Sequence, residues 1–235
     1  MNALRFLSAE WRSLVMLNYT VDPALLAPHL PRGVELDWWQ GEAVVSMVGF
    51  LFLDTHLLGM PVPFHRDFEE VNLRFYVRRR VGGEWRRGVT FLRELVPRRA
   101  IAWTARAIYN EPYLALPMHH RVESGLCEFA WEYQRARHRL GATFCGEPQL
   151  IAVGSEEEFI FEHYWGYTRQ RDGGTVEYEV EHPRWRAWTA ERHWFESDVA
   201  ALYGAPFAAP LARSPRSAFV AEGSPVTVRR AVRIG

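Results

Sequence analysis

Asn72, Arg74 and Tyr76 occupy every second position of the run FEEVNLRFYV, alternating with Val71, Leu73, Phe75 and Val77. That is the period of a strand with one apolar face. The other face carries an amide, a guanidinium and a phenol, a set able to hold and orient an anion. After Gly82 and Gly83, residues 89–96 alternate again, with Val89, Phe91 and Leu95 on one parity and Thr90, Leu92 and Glu94 on the other. The two runs read as a hairpin. A register that keeps the apolar sets together places Asn72, Arg74 and Glu94 on one face, because a slip of one residue would exchange the faces. If that face is solvated, an Arg–Glu pair on it is worth only about 0 to 1 kcal/mol. If it lines a cavity, the same residues are a binding site.

Other reactive constellations are missing. The sequence has no G-x-S-x-G, H-E-x-x-H, Walker loop or G-x-G-x-x-G, so the hydrolase, zinc-protease and nucleotide readings lose their support. His119 and His120 are adjacent, and neighbouring strand residues point to opposite faces, so they do not share a metal. No metal site is expected, and no cofactor. All 28 basic residues are Arg, with no Lys anywhere. Guanidinium stays protonated and is no usable nucleophile, which removes side-chain Schiff-base chemistry from the repertoire.

Acids and bases balance at 28 each, without the basic footprint that neutralises phosphates, so nucleic acid is not an expected partner. Cys127 and Cys145 make neither a CxxC pair nor a disulfide framework. The N-terminal run has no signal-peptide pattern and no apolar stretch approaches membrane-spanning length. The expectation is a cytoplasmic protein that does not enter membranes, with a homo-oligomer left open. At 235 residues and 48% hydrophobic, one domain spanning 1–235 is expected.

The elements that must position the hairpin are mostly strands. Trp11 to Tyr19 is one; Ala43 to Leu53, an almost unbroken apolar run, is a second, of the kind buried on both faces. Between them Asp22 caps a short helix with Pro23 at its first position. Residues 98–110 have helical spacing and end at Asn110 before Pro112. A strand is expected over Tyr113 to Glu123, another over Leu126 to Tyr133, and more near 142–153, 164–171, 175–181 and 186–193. Ser155 and Glu158 have capping-box spacing. A helix from Phe195 to Tyr203, a connector from Pro206 to Pro215 and a strand from Ser217 to Arg230, broken at Gly223 and Pro225, complete the chain.

The segment ARAIYNEPY, Ala105 to Tyr113, resembles the GRE-aromatic-Gly-x-Pro-Lys-Lys segment of acetoacetate decarboxylases. Arg106, Tyr109 and Pro112 match it; Asn110 replaces the glycine, and Tyr113 and Leu114 stand where the lysines would be. Together with FEEVNLRFYV and RRGVTFLREL, the chain is similar over nearly its whole length to the YqjF-like bacterial proteins of the acetoacetate decarboxylase-like superfamily. The resemblance implies an α+β, β-rich fold: a cone-shaped, mostly antiparallel β-barrel with a few short helices around an apolar cavity. The activity does not transfer, since the Schiff-base lysines are absent.

On that fold the expected function is binding of a small, partly apolar, anionic molecule. Arg74 and Arg106 would hold its charge, Asn72 and Glu94 would orient them, and Tyr76, Tyr109 and Tyr113 would line the wall. The alternative is an enzyme doing acid/base work on a small carbonyl compound, with Glu94 or His119 as base and Arg74 as stabiliser. A third reading, a structural module, requires a barrel without a cavity.

Overall fold

The computed structural model describes residues 4–63, 65–108 and 110–234; the side chains of 104–108 lie outside that description. Four long strands cover the runs read as strands: β1 (Arg5–Val21), β2 (Ala43–Leu57), β3 (Phe68–Val81) and β4 (Glu84–Val96). They pair antiparallel in chain order. Helix α1 (Pro23–Leu26) links the first two, with the Asp22 carboxylate accepting from the Ala24 amide at 2.8 Å.

Helix α2 (Arg99–Ile108) follows β4, and Asn110 takes a left-handed φ of 57° in the turn beyond it. The expected strand over Tyr113 to Glu123 is two strands in different sheets, β5 (Tyr113–Ala115) and β6 (Met118–Glu123). β5 runs parallel to β4, whereas β6 joins β7 (Leu126–Tyr133) and β8 (Ala136–Thr143) in a second sheet. Leu116 and Pro117 between them let the chain change sheets. Helix α3 (Glu156–Phe161) begins at Ser155, whose hydroxyl accepts from the Glu158 amide at 3.2 Å.

β9 (Trp165–Arg169) and β10 (Thr175–Glu181) form a hairpin, followed by β11 (Arg186–Thr189) and β12 (Arg192–Glu196). The helix expected from Phe195 is shorter: β12 keeps Phe195 and Glu196, and α4 starts only after Asp198 caps it, spanning Val199–Tyr203. The expected connector from Pro206 contains α5 (Ala205–Leu211), which tolerates Pro206 in its first turn because no intrahelical N–H is lost there. β13 (Ser217–Arg229) is continuous. Gly223 absorbs its irregularity with φ 78°, at a point where a side chain would meet the Trp11 backbone.

The large sheet closes on itself. β13 pairs with β1 at one edge and with β10 at the other, through Val180–Val228 and Glu181–Thr227, so the ring runs β13–β1–β2–β3–β4–β9–β10 and returns to β13. Closure depends on the parallel approach of β9 to β4 at Trp165–Gly88. A Cβ at Gly88 would collide with the Trp165 carbonyl oxygen.

Closure gives each long strand two buried faces. Val71, Leu73, Phe75 and Val77 point outward into a core shared with Phe129, Trp131 and Leu140 of the second sheet and with Leu202, Phe207 and Leu211 of the C-terminal helices. Met16, Val48, Phe50 and Tyr76 point inward, where α3 plugs one end with Phe159, Ile160 and Phe161. One expectation fails at Leu92. Leu73 pairs with Arg93 but Arg74 pairs with Phe91, a β-bulge that leaves Leu92 extra. The bulge reverses parity, so Val89 and Phe91 face inward with Asn72 and Glu94 rather than outward with Leu73.

Candidate functional site

The inward face encloses a cavity of about 260 Å³. Its apolar wall includes Trp11, Phe50, Phe52 and Phe68, and its polar wall Glu70, Asn72, Arg74, Glu94, Glu111 and His163, with Tyr113 and Tyr178. The space is a little below the roughly 300–1,000 Å³ typical of small-molecule sites, which suits a small ligand.

β3 contributes Glu70, Asn72 and Arg74 by its period of two. Asn72 Nδ2 donates to Glu70 Oε1 at 2.9 Å, and Tyr113 Oη donates to Glu70 Oε2 at 3.0 Å. β5 delivers Tyr113 beside Glu94 in parallel register. Glu111 enters from the turn after α2 and accepts from Tyr178 Oη at 2.6 Å and Thr168 Oγ1 at 3.3 Å.

Three buried carboxyls around one space oppose one another's ionisation. Desolvation lifts Glu70 to about 7, aided by the Glu111 charge and resisted by its bonds from Asn72 and Tyr113 and by Arg74. Desolvation, then Glu111 and Glu70, hold Glu94 well above the usual carboxylate range. Glu111 is raised by burial too, against its bonds from Tyr178 and Thr168. An arginine beside a carboxylate ordinarily lowers its pKa; for Glu94 burial and the neighbouring acids set the opposite direction.

Among the described residues no ion pair joins Arg74 to Glu94; Arg74 bonds to the Ile160 carbonyl and Met16 Sδ instead. One of its terminal nitrogens donates to the Ile160 carbonyl at 3.3 Å, its Cζ lies 5.6 Å from the Tyr76 ring centre, and its Nε has no partner. Asn72 serves Glu70 instead of orienting Arg74. Four residues of the polar wall each hold a buried atom without a hydrogen-bond partner: Asn72 Oδ1, Arg74 Nε, Glu94 Oε2 and His163 Nδ1.

The remaining expected site residues divide. Tyr113 lines the cavity. Tyr76 is buried just behind the wall, its hydroxyl 2.5 Å from Ser46 Oγ. His119 is exposed on β6 in the second sheet, away from the cavity, because β6 has left the barrel; it is not part of this site. The Arg106 side chain and Tyr109 lie outside the described residues.

Glu70, Glu111, His163 and Tyr178 were not legible as site residues. Glu70 shares the parity of Asn72 and Arg74, which was the available signal; the other three carry none. Among the described residues no cluster of His, Cys, Asp and Glu has the geometry to hold a metal ion, and no helix is long and apolar enough to cross a membrane.

The family model for DUF2071, uncharacterized conserved proteins, matches residues 8–225. The chain belongs to this family. It is 24% identical over 203 residues to the uncharacterized protein YqjF of Bacillus subtilis, covering 83% of this chain and 80% of that one. The fold is similar to that of an acetoacetate decarboxylase from Legionella pneumophila, with a TM-score of 0.70 at 16% identity over 98% of this chain and 87% of the other. The enduracididine biosynthesis enzyme MppR, in a complex with pyruvate, has a TM-score of 0.68 at 14% identity over 97% and 90%. At these identities the likeness establishes an acetoacetate decarboxylase-like fold for this DUF2071 protein, and the chemistry has to be read from its own cavity.

Proposed function

We propose that this DUF2071 protein binds a small, partly apolar molecule carrying an anionic group in the barrel cavity, without forming a Schiff base. What carries the reading is Arg74: a cation at an aromatic-walled cavity, its Nε buried without a partner and Glu94 not paired to it. A carboxylate is the group that a partly free guanidinium recognises best. With Glu70, Glu94 and Glu111 raised toward their neutral forms, the acidic wall repels an anion far less than three charges would. The absence of lysine leaves the barrel without the side chain that imine chemistry needs.

The test is calorimetric titration with phenylacetate. Wild type is expected to bind, and Arg74→Met to lose at least about tenfold in affinity, as for a charge-assisted bond. Equal affinity of the two proteins would remove Arg74 as the anchor, and no binding of this or other small carboxylates would remove the reading.

A second reading is favoured by one observation. Glu94 lines the cavity, its Oε2 is buried without a partner, and its carboxyl is raised by desolvation, the condition under which a glutamate moves protons near neutral pH. On this reading the protein is an acid/base enzyme acting on a small carbonyl compound. Turnover by wild type that Glu94→Gln abolishes while leaving binding intact would support it.

A further inference from the structure

His163 lines the same cavity and no part of the anion-binding reading uses it. It follows α3, its side chain is 1% exposed, and its ring is held 4.7 Å from Tyr76 and edge-on at 5.3 Å from Phe159. Nε2 is 3.2 Å from Asp37 Oδ2, and Nδ1 has no partner.

The Asp37 contacts determine which ring nitrogen carries the proton. Arg87 Nε donates to Asp37 Oδ2 at 2.6 Å, and an Arg78 terminal nitrogen stands 4.0 Å from Oδ1. Burial works against an ionised Asp37, but the bonds from His163 and Arg87 and the Arg87 charge leave its carboxyl below the ordinary range. An ionised carboxylate only accepts hydrogen bonds, so Nε2 must be the donor. Burial keeps a second proton off the ring: it lowers His163 to about 4, against the pull of Asp37 and with the help of the Arg87 and Arg74 charges. Neutral imidazole protonated on Nε2 has a lone pair on Nδ1. That lone pair is buried, rigidly aimed by Asp37 and by two aromatic contacts, and lacks a donor.

We propose that His163 Nδ1 is a second polar anchor of the cavity, oriented by Asp37, and accepts a hydrogen bond from a hydroxyl of the ligand, so that the preferred ligand class is small hydroxycarboxylic acids. This rests on the anion-binding reading for its other half. Arg74 and His163 contact the same Tyr76 ring, Arg74 Cζ at 5.6 Å and the imidazole at 4.7 Å, so one small molecule can reach both, carboxylate to the guanidinium and hydroxyl to Nδ1. The aromatic wall of Phe50, Phe52 and Phe68 takes the apolar remainder. A site whose buried acceptor is left unpaired discriminates against the analogue that lacks the donor.

The probes are mandelate and phenylacetate, which differ by one hydroxyl. Nitrogen-15 imidazole spectra of the full chain at pH 7 are expected to show His163 protonated on Nε2 and bare on Nδ1. Mandelate, and not phenylacetate, should move the Nδ1 resonance toward its hydrogen-bonded position and should bind roughly fivefold tighter, the worth of one neutral hydrogen bond. In Asp37→Asn the amide can donate to Nε2 and reverse the tautomer, so the preference for mandelate should vanish while phenylacetate affinity stays. A ring protonated on Nδ1 in wild type overturns the proposal without any ligand, and does so even if Asp37→Asn fails to fold. Equal binding of both acids with no change at Nδ1 overturns it and leaves the anion-binding reading standing. Binding of neither acid overturns both.

Discussion

Asn72 and Glu94 stand directly opposite each other across β3 and β4, and each keeps one side-chain oxygen without a partner on the cavity wall. Opposed residues are close enough to interact, and in a solvated hairpin water would satisfy both. Here the barrel has closed over them, Asn72 has turned its amide to Glu70, and burial, with Glu111 and Glu70 beside it, pushes the Glu94 carboxyl well above the usual range. The pair is therefore an opening in the polar wall rather than a structural bond.

That arrangement makes Glu94→Gln a test of charge. If Glu94 is neutral in the folded protein, glutamine reproduces it, and the variant should match or exceed wild type by about 1 kcal/mol at pH 8, where the wild-type carboxyl comes under pressure to ionise. Denaturant unfolding measures this. A loss of about 3 to 5 kcal/mol would instead reveal a buried charge in an ion pair.

Glu70 imposes a pH dependence of definite sign. Its carboxyl is raised from 4.5 to about 7 on folding, so the folded state binds more protons, and the associated stabilisation is complete below 4.5 and lost as pH rises through 7. His163, lowered to about 4, acts oppositely, but its contribution is complete above its unfolded value of 6.5. Between pH 5 and 8, Glu70→Gln should therefore gain on wild type by on the order of 3 kcal/mol. Parallel stability curves for the two proteins would show that Glu70 titrates normally.

Acetoacetate with borohydride should leave no covalent adduct on any side chain, because the sequence holds no lysine and arginine does not form imines under these conditions. Peptide mapping reads the result directly. An adduct on an internal residue would refute the assignment of non-imine chemistry.

Gly88→Ala should destabilise the barrel by about 1 to 3 kcal/mol, the usual cost of overpacking. The new Cβ would strike the Trp165 carbonyl oxygen where β9 lies against β4. Backbone cannot swing aside there as a side chain could. A neutral result in urea unfolding would mean that the parallel junction is looser than the structure has it.

Much of the hairpin was readable in advance because alternation is a local property. Residues two apart in a strand share a face whatever surrounds them, so Asn72, Arg74 and Tyr76 had to lie together, and Asp22 with Pro23 had to begin a helix. The same logic applied to β4 gave the wrong side for Val89 and Phe91, since a bulge at Leu92 shifts the period and nothing in the residue types marks it. His119 was misplaced for a related reason: its strand is real, but the chain changes sheets at Leu116 and Pro117, and periodicity does not say which sheet a strand joins.

From the sequence alone follow the β-rich fold, the absence of any lysine side chain and the polar face of β3, all consequences of composition and short-range pattern. Whether that face meets water or a cavity was decided by ring closure at Val180–Val228, between strands that are distant in the chain. The same closure brings Glu111 from the turn after α2, Tyr178 from β10 and His163 from the end of α3 to one space, and sets Asp37, 126 residues away, behind His163. Their pKa values follow from that convergence, because desolvation and mutual charge act through space and leave no mark on the order of residues along the chain.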